Sequence, residues 1–105
     1  MQRITREAIR RMASSETVYY RGMRYYAAHA VSDVTWNENN GQYRSVVHGG
    51  NQYVVTIQVS EDGEWLYTCN CPSHVKQKGA CKHVVATLLF IADYQQRENV
   101  KEHLD

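Results

Sequence analysis

The chain has 105 residues, a formal net charge of +1 and 43% hydrophobic residues. That length fits one domain (residues 1–105) with a modest core, and so small a net charge does not by itself mark a binder of nucleic acid or membrane surface. No apolar run approaches the ~20 residues of a membrane span, and the basic start MQRITREAIRRM lacks the apolar stretch of a secretory signal.

The charge is unevenly spread. Residues 1–30 carry six Lys/Arg against two Asp/Glu, residues 31–68 one against five, and residues 69–105 five against four. A basic N-terminal third beside an acidic middle either offers a basic face to nucleic acid or merely solvates the surface. All three cysteines fall between Cys69 and Cys81. An odd number so closely bunched argues against a disulfide framework and for a reducing, cytoplasmic or nuclear setting.

In chain order, Thr5–Ala13 reads as a short helix with Ile4, Ala8 and Met12 on one stripe and Arg3, Arg6, Arg10 and Arg11 around it. Ser14-Ser15 breaks it and can cap a second helix, Glu16–Ala30, on which Tyr19, Met23, Tyr26 and Ala30 share a face. The YYRGMRYY segment is either a core-facing tyrosine stripe overlaid by arginine stems or an aromatic-and-arginine surface for nucleic acid. Gly22 in mid-helix implies close packing or a kink. These helices form an N-terminal extension over residues 4–30.

Strand texture follows. Val31–Trp36, Tyr43–His48, Tyr53–Val59 and Glu64–Thr68 are separated by the turn formers Asn37–Gly41, Gly49–Asn51 and Asp62-Gly63. Tyr53, Val55, Ile57 and Val59 alternate onto one face, and Trp65 shares a face with Tyr67. The expectation is a four-stranded antiparallel meander that delivers the chain to Cys69. After His83, VVATLLFIADY is apolar nearly all round a helix, so sheet and N-terminal helices should cover it. Gln95–Asp105 is polar and is expected to fray.

The chemistry concentrates in CNCPSHVKQKGACKH, where the spacing is Cys, one residue, Cys, nine residues, Cys, one residue, His. Three thiolates and an imidazole complete a tetrahedral zinc set with no position left for water. Cys69 and Cys71 leave one side of a strand end, which Pro72 terminates because it has no N–H for a ladder. Residues two apart on a helix point about 200° around it. Cys81 should therefore precede the helix and His83 lie in its first turn, near N–H groups that favour thiolate charge. Buried free thiols, or a redox dithiol, are the alternatives, although a bridge between residues two apart is strained. His74 is a possible substitute ligand. His29, His48 and His103 have no partner pattern.

This pattern, with Pro72 after the first pair and CKHVVATLL running into a helix, resembles the SWIM-type zinc finger. The likeness is close over Tyr53–Leu89, with a finger core at residues 53–94. The helix and strands before it resemble, more weakly, the N-terminal region of bacterial SWI/SNF-type helicase-like ATPases. The resemblance implies that Cys69, Cys71, Cys81 and His83 hold one structural zinc, and that the module binds DNA or protein beside a larger enzyme. No G-x-x-x-x-G-K-[ST] phosphate loop is present.

The expectations are then an α+β fold: N-terminal helices, a four-stranded antiparallel meander, an apolar C-terminal helix, and a zinc site joining last strand to last helix. The site would be non-catalytic, without a small-molecule substrate or membrane association. Nucleic acid is the first partner, through Arg6, Arg10, Arg11, Arg21, Arg24, Lys76, Lys78 and Lys82. The alternatives are docking onto a protein or onto the rest of its own polypeptide, and a thiol redox role.

Overall fold

The computed structural model describes residues 3–72 and 79–104. The first helix, α1 (Arg6–Met12), begins where the Thr5 hydroxyl accepts the Ala8 N–H at 3.1 Å. It buries Ile9 completely. The second, α2 (Glu16–Ala27), is capped in the same way by Ser15, which accepts from the Val18 N–H.

The reading of α2 as far as Ala30 is three residues too long. His29 takes the left-handed conformation (φ 59°), and its N–H reaches the Tyr26 carbonyl while the Ala30 N–H reaches that of Tyr25, both at 3.0 Å. This closes the helix in a Schellman motif, with histidine in the position usually held by glycine. The Ala30 carbonyl then accepts the His48 N–H at 2.9 Å, which ties the helix end to the sheet.

The sheet is the expected meander: β1 (Val31–Asn37), β2 (Gln42–Gly49), β3 (Asn51–Val59) and β4 (Trp65–Cys69), antiparallel in the order β1-β2-β3-β4. Between the pairs Ser32–Val46 and Thr35–Arg44, two residues of β1, Asp33 and Val34, oppose the single Ser45, making a bulge. Register sets the inner face. Val55 pairs with Cys69, Ile57 with Tyr67 and Val59 with Trp65, so the alternation that buries Val55 and Ile57 also turns the Cys69 sulfur inward.

The third helix, α3 (Lys82–Leu104), packs between α2 and the sheet. Val84, Val85, Ala86, Thr87, Leu88 and Leu89 are six consecutive residues with no exposure. Its continuation to Leu104 differs from the fraying expected beyond Tyr94. Part of the reason lies at Gln95, which is buried and accepts the Ile4 N–H through Oε1 at 3.1 Å. That contact links two residues 91 positions apart.

Gly22 is explained by close packing. A Cβ there would lie 2.4 Å from Val85 Cγ1 and 2.6 Å from Val85 Cβ, so glycine is what lets α2 approach α3. Across the other side of α3, Ser45 and Thr87 share a buried hydroxyl–hydroxyl bond of 2.8 Å, and Thr87 donates to the His83 carbonyl at 3.1 Å. This polar pair stitches β2 to the first turns of α3, just behind the candidate metal ligands.

Candidate metal centre

Cys69 closes β4 and Cys71 follows two residues later. Between them Asn70 points the other way: its side-chain carbonyl accepts the Val54 N–H at 2.9 Å, and its own N–H reaches the Val54 carbonyl. Asn70 thus extends the pairing of β3 with β4 past the strand end and fixes the backbone that carries both sulfurs.

Cys81 is fixed from the opposite direction. The Ala80 N–H donates to the Met12 carbonyl at 2.8 Å, and the Ser14 N–H donates to the Ala80 carbonyl at 3.1 Å. The end of α1 therefore clamps the residue just before the third ligand. Gly79 makes this possible, with φ +98° and a position where a Cβ would lie 2.8 Å from the Met12 carbonyl oxygen. Cys81 itself takes the capping position of α3, its carbonyl accepting the Val85 N–H at 2.9 Å. His83 sits in the first turn, as the two-residue spacing requires.

The four donor atoms of Cys69, Cys71, Cys81 and His83 lie within 4.8 Å of one another, and all four residues are buried. Cys69 Sγ is 3.7 Å from His83 Nδ1. Bond lengths of ~2.3 Å to sulfur and ~2.0 Å to nitrogen put tetrahedral S···N edges near ~3.6 Å, so the separation already matches a shared metal. Nδ1 is accordingly the nitrogen facing the sulfurs. Nε2 is buried and has no hydrogen-bond partner among the described residues. The ring is held by stacking on Tyr53 (centroids 4.1 Å apart) and by the edge of Tyr25 at 5.4 Å.

The local electrostatics favour thiolate at Cys81. The Cys69 thiol hydrogen-bonds to it, and His83 and the Val84 backbone N–H add to the effect, all lowering its pKa against burial. The same bond to Cys81, together with burial, pushes the Cys69 thiol up. Protons and a metal compete for these sulfurs, and a divalent ion removes the conflict by accepting all three as thiolates. The residues fit one structural zinc. With four protein donors, such a site leaves no open position for substrate or water.

The candidate nucleic-acid residues separate into groups. Arg6 pairs with Asp93 at 3.2 Å, which also accepts from the Tyr26 hydroxyl, and Arg10 grips Glu16 through two bonds of 2.6 Å. Arg11 is exposed on α1. Arg21, Arg24 and Lys82 instead converge on one open concavity of about 670 Å³, with Tyr25, His29 and His48 also in its wall and no carboxylate among the described residues. The side chains of Arg21 and Arg24 make no hydrogen bond or ion pair among the described residues. Lys82 lies over the Tyr25 ring at 5.8 Å. Lys76, Lys78 and His74 lie outside the described residues.

The sequence reading did not single out Asn70, Ala80, Thr87 or Tyr25. Asn70 carries a faint signal, an amide of opposite parity between two ligands. The clamp through Ala80 has none, because a backbone contact to a distant helix end leaves no mark on residue type.

Comparison with known proteins found no match among curated proteins or solved structures. Residues 53–92 match the family model of the SWIM zinc finger, and that span contains all four donors, so match and geometry together describe a zinc-binding module built on one structural zinc.

Proposed function

We propose that the chain is a zinc-stabilised, non-catalytic nucleic-acid-binding module, an accessory piece of a helicase-like ATPase. The observation that carries this reading is the convergence of Arg21, Arg24 and Lys82 on a concavity that no carboxylate of the described residues lines. Guanidinium groups with no hydrogen bond or ion pair among the described residues, as at Arg21 and Arg24, are suited to phosphate contacts. The zinc acts at one remove: by fixing Cys81 and His83 it fixes Lys82 between them, at the start of α3. Protein docking, motivated by the apolar excess of Val84–Tyr94 and by exposed tyrosines, has less support: Val84–Leu89 is fully covered within the fold, which leaves Tyr94 and Tyr20 as its half-exposed aromatic positions.

Anisotropy titration of the zinc-loaded protein against labelled DNA and RNA at several salt concentrations tests the reading. Three phosphate contacts predict a slope of log K against log salt of about −2 to −3. Arg21→Glu with Arg24→Glu should weaken binding and flatten that slope, with zinc content and melting temperature unchanged. Affinity weaker than ~10⁻⁴ M at low salt, below ordinary non-specific binding, overturns it.

A further inference from the structure

The basic concavity has neighbours. A second depression, about 300 Å³, is lined by Tyr26, Val31, Phe90 and Arg97 and shares His29 with the first. A third, about 240 Å³, is lined by Val34, Trp36, Tyr43, Ile91 and Tyr94 and shares Phe90 with the second. The order of the three follows the chain from Ala30 through Val31 to Val34–Trp36 along the edge strand β1, a length of about 20 Å at ~3.3 Å per residue.

The character of the wall changes along that line. The first depression is cationic. The second keeps one guanidinium, Arg97, beside aromatic rings. The third is aromatic, with Trp36 and Tyr43 at 4.5 Å between centroids and Tyr94 half exposed at 51%. Among the described residues no carboxylate lines any of the three. Asp93, beside the second, is already bound by Arg6 and by the Tyr26 hydroxyl.

From this we infer that the three adjoining depressions form one track for single-stranded nucleic acid, with phosphates held at the Arg21–Arg24–Lys82 end and bases stacked at the Trp36–Tyr94 end. The inference rests on the nucleic-acid reading above and narrows it. A duplex hides the faces of its bases and has no use for the aromatic end, whereas a single strand offers phosphate and unstacked base together. The mixed wall therefore selects for the strand by using both.

The test uses the full chain with zinc bound, a labelled thymidine oligonucleotide of about ten residues, and a duplex of equal length. The single strand should bind about ten-fold tighter than the duplex. Tyr94→Ala, at an exposed position, should weaken strand binding about ten-fold and leave the salt slope unchanged, as loss of one stacking platform would. In a Trp65→Phe background the remaining tryptophan is Trp36, and strand binding should quench its fluorescence. If Arg24→Glu weakens binding while Tyr94→Ala does not, or duplex binds as tightly as strand, the track is wrong and the nucleic-acid reading survives. If neither variant alters binding, both fail. Competition by polyglutamate as effective as by the oligonucleotide also overturns the track, because only charge would then be recognised.

Discussion

The finger segment, residues 53–92, and the helical pair before it are held together by different means. In the finger, a strand end, a helix start and four buried donors meet within a few ångströms, and the residues there have almost no freedom to be anything else. In the α1–α2 pair, Ile9, Tyr19 and Gly22 are the buried positions, and the rest is caps, packing against α3, and ion pairs exposed to solvent. Yet the two are not independent. The end of α1 grips Ala80 through two backbone bonds, so the weaker region helps position the third ligand of the stronger one. The contrast also shows how neighbours decide the role of a cation. Arg6 and Arg10 are committed to carboxylates, while Arg21 and Arg24, from the same basic third of the chain, pair with none among the described residues.

The comparison can be broken most severely at the metal. Structural zinc contributes on the order of 10 kcal/mol of apparent binding free energy in small finger domains, a large part of it folding free energy. Cys81→Ser, or a strong chelator, should therefore abolish stoichiometric zinc and cooperative melting, and should also loosen α1 through Ala80. Metal analysis with hydrogen exchange at Ser14 and Ala80 reads both effects. Acid should do the same, since all three thiols must lose their protons to bind.

The next effect tests the contact between the regions. Helix propensity alone favours Gly22→Ala by about 1 kcal/mol, but the new methyl would lie 2.4 Å from Val85 Cγ1. Overpacking should win and leave a net destabilisation of about 2 kcal/mol, measured by denaturant unfolding. A stabilised variant would mean that α2 does not press on α3 as closely as described.

Within the finger's support, Ser45→Ala removes a buried hydroxyl bond while Thr87 keeps its bond to the His83 carbonyl. A loss of about 1 kcal/mol with zinc content intact is expected from chemical unfolding. The smallest effect belongs to the surface of the helical pair. The hydrogen bonds from Arg10 hold the Glu16 carboxyl below its usual range. A depressed carboxylate pKa stabilises the fold above the unfolded value, near ~4.3, and loses that contribution as pH falls through the folded value. Glu16→Gln should therefore shift the melting temperature barely at pH 7 and not at all in strong acid, because both partners are exposed.

Much of the centre was legible before the fold was known. The strand-to-helix spacing of Cys69, Cys71, Cys81 and His83 constrains geometry locally, and local geometry is what residue order records. The meander was legible for the same reason, through period-two alternation and glycine-bearing turns. The end of α2 was not, since a histidine at a left-handed cap resembles any other helical residue in sequence.

By itself, then, the sequence determined the donor set, the four strands and the buried character of α3, all properties written in residues a few positions apart. The tertiary structure alone decided which arginines pair with carboxylates, why Gly22 is glycine, and that Met12 and Ser14 hold Ala80. Each of these depends on atoms brought together from distant parts of the chain, and the pairing of Arg6 with Asp93 across 87 positions shows why. A side chain's charge is fixed by its type, but its availability is fixed by whichever groups the fold places beside it.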